Sequence, residues 1–348
     1  MTILTSIKQN KKIIGLLASL SILLLVATGC GNGDSSKISA NADDEEKVKL
    51  VASTINPENT LLGEAFVAFA EEIEKQSNGE IEVTLHMDGA LGGASSLYQS
   101  VISGDIDIIY SDPGWFAEHQ PAFDVLSSYY LFEDQEHFES VVNSDDKLAY
   151  FEDALREDPG LNTLMYIGGI ERNILSTFPI ESVEDLKGKV MRSGTGATEL
   201  EWWEELGANP VSIDLSEVYS GLQTGVAEGT QNSLDSMIHN RFGEVGDYVA
   251  RTQHDLTLGF VVMNDDRYEQ LSDKHKEAIQ KAAEIVQPKY FEIAFDQAEE
   301  DMKTLEEEFD ITFTDVDVDG FIEKSRVLLM DLAEKHDVVD VVEEIIEE

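Results

Sequence analysis

The sequence has a single cysteine, Cys30, among its 348 residues. One thiol cannot form an internal disulfide. The seven histidines are scattered, form no His-Glu-x-x-His motif and have no cysteine partners for a zinc site. We therefore expect no metal and no cofactor.

Basic residues are also scarce. Lysine and arginine together number 24 against 70 aspartates and glutamates, which gives a net charge of −46. Such a chain repels the phosphate backbone, so nucleic acid is excluded as a partner. The acidic residues are spread along the chain, which suits a surface that works at high salt.

No apolar run is long enough to span a membrane comfortably. The longest, Ile13–Val26, has 14 residues and follows Lys8, Lys11 and Lys12. It ends in Ala27-Thr28-Gly29-Cys30, which resembles a bacterial lipobox. We expect a lipoprotein signal peptide over residues 1–29, lipidation of Cys30 and a flexible tether over residues 30–46. An ordinary signal peptide with an incidental thiol is the alternative.

Residues 47–348 carry the pattern of an α/β fold. A strand over Val48–Ile55, a helix over Leu61–Gln76 and a strand over Ile81–His86 begin a β-α-β-α-β order, which predicts a parallel sheet with helices on both faces. Further along, the pattern predicts a strand at Phe260–Asn264 and a helical tract from Asp273 to Phe309. In parallel sheets, ligands bind beyond the carboxyl ends of the strands.

Arginine is rare here, with seven in the whole chain. Arg172, Arg192 and Asn232 fall within one region and together suggest a clamp for a ligand carboxylate. A guanidinium offers two parallel hydrogen bonds to a carboxylate, and an asparagine amide adds a neutral donor. The alternative for each arginine is a surface salt bridge to one of the many acids.

Several segments identify a family when they are read in order. They are Asn78-Gly79-Glu80-Ile81-Glu82-Val83, Gly89-Ala90-Leu91-Gly92, Gly104-Asp105-Ile106-Asp107, Asp185-Leu186-Lys187-Gly188-Lys189-Val190-Met191-Arg192, Leu206-Gly207-Ala208-Asn209-Pro210-Val211, Ser216-Glu217-Val218-Tyr219 and Leu222-Gln223-Thr224-Gly225-Val226-Ala227-Glu228-Gly229. From about Val48 onward the chain resembles the substrate-binding proteins of tripartite ATP-independent periplasmic (TRAP) transporters, of the dicarboxylate- and sialic-acid-binding type.

The resemblance implies a two-lobed, periplasmic-binding-protein-like α/β fold with a long C-terminal helix spanning both lobes. Lobe 1 would hold residues 47–170 and the C-terminal helices, and lobe 2 residues 171–260. The two lobes would close over one organic anion by a hinge.

The resemblance also assigns site residues. Arg192 matches the arginine that grips the ligand carboxylate, with Arg172 and Asn232 beside it. Leu215 matches a wall position, and Asp112 and Trp115 match positions that read the variable end of the ligand. Trp115 could instead be plain core, and Asp112 could simply cap the helix that follows it.

The sequence departs from the family pattern near the clamp, where Ala227-Glu228, Ser233 and Ser193-Gly194 replace the usual residues. These changes leave the ligand unnamed. Trp202 and Trp203 lie on the predicted helix after Arg192, and we favour packing in the core for both. His254 sits where the family often has a histidine, and we interpret it as structural.

The predicted function is that of an extracytoplasmic, lipid-anchored receptor. It would bind a small organic acid and deliver it to membrane permease subunits driven by an ion gradient, without catalysis. One alternative is a receptor for an ATP-driven importer. The other is a secreted enzyme that uses paired carboxylates.

The acidic surface generates a first prediction. Raising NaCl from about 0.1 to about 2 M should increase the melting temperature, because salt screens repulsion between like charges. Thermal unfolding followed by circular dichroism would measure this. A melting temperature that does not rise over that range would contradict the high-salt interpretation.

Overall fold

The structure is a computed structural model that describes residues 47–144, 146–194 and 197–347. The predicted signal peptide, Cys30 and the tether lie outside the described residues. Among the described helices, none combines the length and apolar character that crossing a membrane requires.

The strands form one mixed sheet. Their order is β2-β1-β3-β8-β4-β7-β5-β6, with β9 paired to β8. The bounds are β1 Val48–Ser53, β2 Ile81–His86, β3 Ile108–Ser111, β4 Leu161–Ser176, β5 Val190–Ser193, β6 Asn209–Ser212, β7 Gly229–Ser233, β8 Tyr248–Asn264 and β9 Thr312–Thr314.

The helices cover both faces of this sheet. They are α1 Leu61–Gln76, α2 Ala94–Ser103, α3 Pro113–Phe116, α4 Gln135–Val142, α5 Ala149–Glu157, α6 Ala197–Glu205, α7 Val218–Gln223, α8 Leu234–His239, α9 Asp265–Glu269, α10 Asp273–Phe309, α11 Asp319–His336 and α12 Val339–Ile346. Short 3-10 turns cover Pro121–Ser127, Val183–Leu186, Leu215–Glu217 and Phe242–Glu244.

Local signals explain several of these elements. Thr60 caps α1, because its hydroxyl accepts a hydrogen bond from the Gly63 amide (3.2 Å). The predicted bounds of α1, β2 and α10 match the structure. Helix α10 continues through Pro288 over 37 residues and packs against α1, β4 and α8. It therefore reaches both halves of the sheet.

The prediction of a parallel sheet is confirmed for the β-α-β-α-β segment, β1 to β3, but the whole sheet is mixed. The pairs β1–β2, β1–β3, β5–β6 and β5–β7 are parallel, but β8 runs antiparallel to β3 and β4, and β4 runs antiparallel to β7. The predicted strand at Phe260–Asn264 is only the end of the 17-residue β8. Long strands β4 and β8 cross from one half of the sheet to the other and join the two halves.

The sheet is buried on both faces. Neighbouring residues Ile108 and Ile109 of β3 belong to different apolar clusters, as do Ile174 and Leu175 of β4. Side chains alternate between the two faces of a strand, so each face has its own core. The lobe boundaries stated from the sequence stay predictions.

The tryptophan pair belongs to this core. Trp202 and Trp203 are about 99% and 100% buried. The indole N–H of Trp202 donates to the Ser325 hydroxyl (2.8 Å), which ties α6 to α11. The prediction of core packing is confirmed for both residues.

The contact between β4 and β8 generates a second prediction. A Cβ added at Gly168 would lie 1.9 Å from the Thr257 carbonyl oxygen of β8. Gly168→Ala should therefore force the two central strands apart and lower the free energy of unfolding by about 1–3 kcal/mol.

The matched control is Gly93→Ala. A Cβ at Gly93 meets nothing within 4 Å, and its φ of −78° suits any residue. Urea unfolding of both variants measures the effect. Equal stability of the two variants would contradict the close approach of the strands.

Candidate functional site

All six ligand-binding residues predicted from the sequence line one cavity of about 690 Å³. The side chains come from separate parts of the fold. They are Asp112, Trp115, Arg172, Arg192, Leu215 and Asn232. Their shared cavity is an observation of this structure, and their contact with a ligand stays a prediction.

Sheet order explains why the clamp residues meet. Arg172 lies on β4, Asn232 on β7 and Arg192 on β5, and β7 lies between the other two strands. Arg172 pairs with Ser233, and Arg192 pairs with Thr230, so both arginines flank the same short strand. The long sequence separations therefore become neighbouring positions.

Arg192 is buried, with 6% of the residue exposed. Its Nε donates to the Ile213 carbonyl (2.9 Å), which fixes the orientation of the guanidinium. Its two terminal nitrogens form no hydrogen bond or ion pair within the part of the chain that is described. Burial lowers the pKa of Arg192, although Glu199 acts in the opposite direction. A buried cation of this kind favours an anionic ligand.

Arg172 is surrounded differently. Its Nε donates to Gln231 Oε1 (2.7 Å) and lies 4.0 Å from Asp255 Oδ2. Burial alone would lower the pKa of Arg172, but the surrounding acids, Asp255 first among them, outweigh it and the pKa is raised. Much of its charge is therefore balanced within the protein.

Asn232 offers a neutral donor. Its Oδ1 accepts from the Ser233 amide (2.9 Å), and its Nδ2 has no hydrogen-bond partner among described residues. Leu215 is 45% exposed and contributes an apolar wall, and Trp115 is half-buried. The alternative of Trp115 as plain core does not fit, because this residue lines the cavity.

Asp112 lines the cavity beside α3. It occupies the position before the helix, yet its side chain makes no capping hydrogen bond. Instead Oδ1 accepts a hydrogen bond from the Tyr110 hydroxyl (2.8 Å). Burial raises the pKa of Asp112, against the effects of Tyr110 and Arg172. The capping role considered for this side chain is therefore wrong.

Two residues absent from the predicted set connect the clamp strands. Gln231 donates through Nε2 to Glu199 Oε1 (2.9 Å) while its Oε1 accepts from Arg172. Glu199 Oε2 accepts from the Gly194 amide (2.8 Å), two residues after Arg192. This Gln231–Glu199 pair links the end of β5 to β7 and β4. Gln231 directly precedes Asn232, which is the only sequence signal that could have found it.

A buried histidine supports the same network. His254 is fully buried, stacks on Trp202 with ring centroids 4.7 Å apart, and accepts or donates a bond with Thr252 Oγ1 (2.7 Å). Burial and nearby Arg172 hold the pKa of His254 well below its usual value, so the ring is neutral. The His254 ring therefore packs in the core near Arg172, which agrees with the structural role expected from the sequence.

Asp255 follows this histidine and was also missed. Burial raises the pKa of Asp255 to about 6, although the Arg172 guanidinium acts to lower it. Asp112 and Glu199 raise it further, so several acids compete around one guanidinium. No spacing in the sequence links these residues. Only the pairing of Arg172 with Asp255 across β4 and β8 does.

Known proteins resemble this chain in sequence. A family model described as bacterial extracellular solute-binding protein, family 7 (DctP), matches residues 52–336. A solute-binding protein of Sulfitobacter sp. (strain NAS-14.1) is 30% identical over 218 residues, which cover 62% of this chain and 66% of that protein. The sialic acid-binding periplasmic protein SiaP of Vibrio cholerae is 29% identical over 217 residues, 62% of this chain and 67% of that protein. The chain thus spans about two thirds of the length of these curated relatives.

Solved structures share the fold. A TRAP periplasmic solute-binding protein from Sulfitobacter sp. with bound α-D-taluronate has a TM-score of 0.77 and 25% identity, covering 86% of this chain and 97% of that one. One from Chromohalobacter salexigens with bound D-glucuronate has a TM-score of 0.79 and 23% identity, covering 85% and 99%. The two-lobed fold with a long C-terminal helix is therefore confirmed. Because the family model covers most of the sequence, the chain belongs to bacterial extracellular solute-binding protein family 7, the substrate-binding proteins of TRAP transporters.

Proposed function

We propose that this receptor holds one small organic acid in the cavity between its two halves, with the ligand carboxylate on the Arg192 guanidinium. Arg172 and Asn232 add donors to the same carboxylate. The observation that carries this proposal is that Arg192 is buried, lines the cavity and has one hydrogen bond, through Nε, while its terminal nitrogens have no partner among the described residues. Charged hydrogen bonds of this kind contribute roughly 1.5–3 kcal/mol each.

Sugar acids are the first candidates for the ligand. Solved relatives hold taluronate and glucuronate, and the V. cholerae relative is named for sialic acid. The rest of the lining fits such a ligand, because Asp112 and Asn56 offer acceptors and donors for hydroxyl groups. Trp115 and Leu215 supply apolar surface for a sugar ring.

Delivery of the ligand to a permease and attachment to the membrane are proposed from family membership and from the sequence. A receptor of this family works with TRAP permease subunits, so we propose delivery of the bound acid to such a permease. Lipidation of Cys30 would keep the receptor at the membrane, tethered by residues 30–46. Membership of a binding-protein family argues against both the secreted enzyme and the ATP-driven importer.

The clamp generates a third prediction. Arg192→Ala should raise the Kd of a bound sugar acid by about 100-fold or more, because two charged hydrogen bonds are lost. Arg192→Lys should recover only part of the affinity, since an ammonium lacks the planar fork. Calorimetry with glucuronate and galacturonate would measure both.

The folded state should tolerate these changes. Inside the protein the guanidinium is held by one hydrogen bond, to Ile213. We therefore expect melting temperatures near that of the unaltered protein without ligand. Arg156→Lys is the matched control, because Arg156 is about half exposed, pairs with Asp153 and does not line the cavity. Unchanged affinity in Arg192→Ala would refute the clamp.

The Gln231–Glu199 pair generates a fourth prediction. Gln231→Leu should leave Arg172 Nε and Glu199 each without one hydrogen bond, and lower stability by about 1–3 kcal/mol. Affinity should also fall, since Arg172 loses the contact that orients it. Gln270→Leu, at an exposed site, is the control. A Kd equal to that of the control would show that Gln231 does not position the clamp.

A further inference from the structure

The charges around the cavity are strongly unequal. Its charged or titratable lining side chains are Asp112, Arg172, Arg192, Glu199, Asp214, Asp235 and His239. Apart from the two arginines, no lysine or arginine lines it in the described segments. Four acidic residues therefore line the space that an acid ligand would occupy.

The two guanidiniums are already partly balanced by the protein. Asp255 Oδ2 lies 4.0 Å from Arg172 Nε, and Glu199 acts on the charge of both arginines. Glu199 is fixed there by its hydrogen bonds to Gly194 and Gln231. Two guanidiniums beside these two carboxyl groups leave little positive charge to spare for a doubly charged ligand.

The two guanidiniums act on each other's charge and form one place for an anion, because the terminal nitrogens of Arg172 also have no hydrogen-bond partner among the described residues. Arg192 is 94% buried, lines the same cavity, and keeps its terminal nitrogens free of described partners. This buried cation favours an anionic ligand group beside it. Asp112, Asp214 and Asp235 also line the cavity, and Asp214 acts on the charge of Arg192.

We propose that the receptor selects acids with a single carboxylate and rejects those with two. The inference rests on the proposed function, because it assumes that one carboxylate occupies the Arg192 clamp. A second ligand carboxylate would then lie in a cavity lined by four acidic residues, with both guanidiniums already engaged by the first carboxylate, where like charges repel.

The same lining defines what the rest of the ligand should carry. Carboxylate oxygens accept hydrogen bonds, so hydroxyl or ammonium groups fit them. Asp112 has one oxygen bonded to Tyr110 and a second with no described partner. Monocarboxylic sugar acids meet this requirement, and the corresponding dicarboxylic sugar acids do not.

The test uses ligand pairs that share one carbon skeleton. Galactonate and gluconate carry one carboxylate, galactarate and glucarate carry two, and all four are open chains. At about pH 8, where all these groups are ionised, calorimetry should give a Kd at least about tenfold higher for each dicarboxylate. Equal or tighter binding of a dicarboxylate would overturn the inference while leaving the clamp intact. Failure of every acid to bind would contradict the proposed function instead.

A charge variant tests the cause of the selectivity. Asp214→Asn combined with Asp235→Asn keeps the size of both side chains and removes two negative charges from the lining. The ratio of the dicarboxylate Kd to the monocarboxylate Kd in each ligand pair should fall by about threefold or more. Asp331→Asn is the matched control, because Asp331 is exposed on α11 and does not line the cavity. A ratio that stays unchanged in the double variant would show that lining charge does not set the selectivity.

Discussion

The guanidinium of Arg192 is the constraint on which the site depends. It is buried, yet in the described structure it is bonded only through Nε to the Ile213 carbonyl. Burying a cation is costly unless it is paired, and here the protein supplies orientation without a close counterion. In the proposed clamp, an incoming carboxylate would complete the pairing. The free energy that burial of Arg192 costs the empty receptor would then be recovered when the ligand binds.

Contacts among neighbouring side chains support the strands that carry this guanidinium. Gln231 and Glu199 connect three strands and keep the ends of β5 and β7 in register. Beneath them, neutral His254 packs against Trp202 in a stack without solvent. Helix α10 and the long strands β4 and β8 extend across both halves of the sheet and join them. A preorganised clamp loses little side-chain entropy on binding, which favours affinity.

The sequence predicted the regular elements well where their pattern was simple. Helix α1 has a Thr60 cap and a regular apolar stripe, and α10 is long and uninterrupted by glycine. Strand β8 was mostly missed because buried polar residues, Thr252 and His254, break its apolar alternation. The antiparallel direction of β8 was missed as well, since no tight turn joins it to its partners. Likewise, the clamp arginines were found from the family pattern, but Gln231, Glu199 and Asp255 were not.

The sequence by itself determined the class of the protein, its acidic character and the few cations able to hold an anion. Residue types and short ordered segments carry that information locally, and arginine is rare enough here for each one to stand out. Only the tertiary structure decided which acids surround Arg172, which side of Arg192 stays open and what faces the rest of the cavity. Those properties depend on strand order and burial, and neither is encoded in residue spacing.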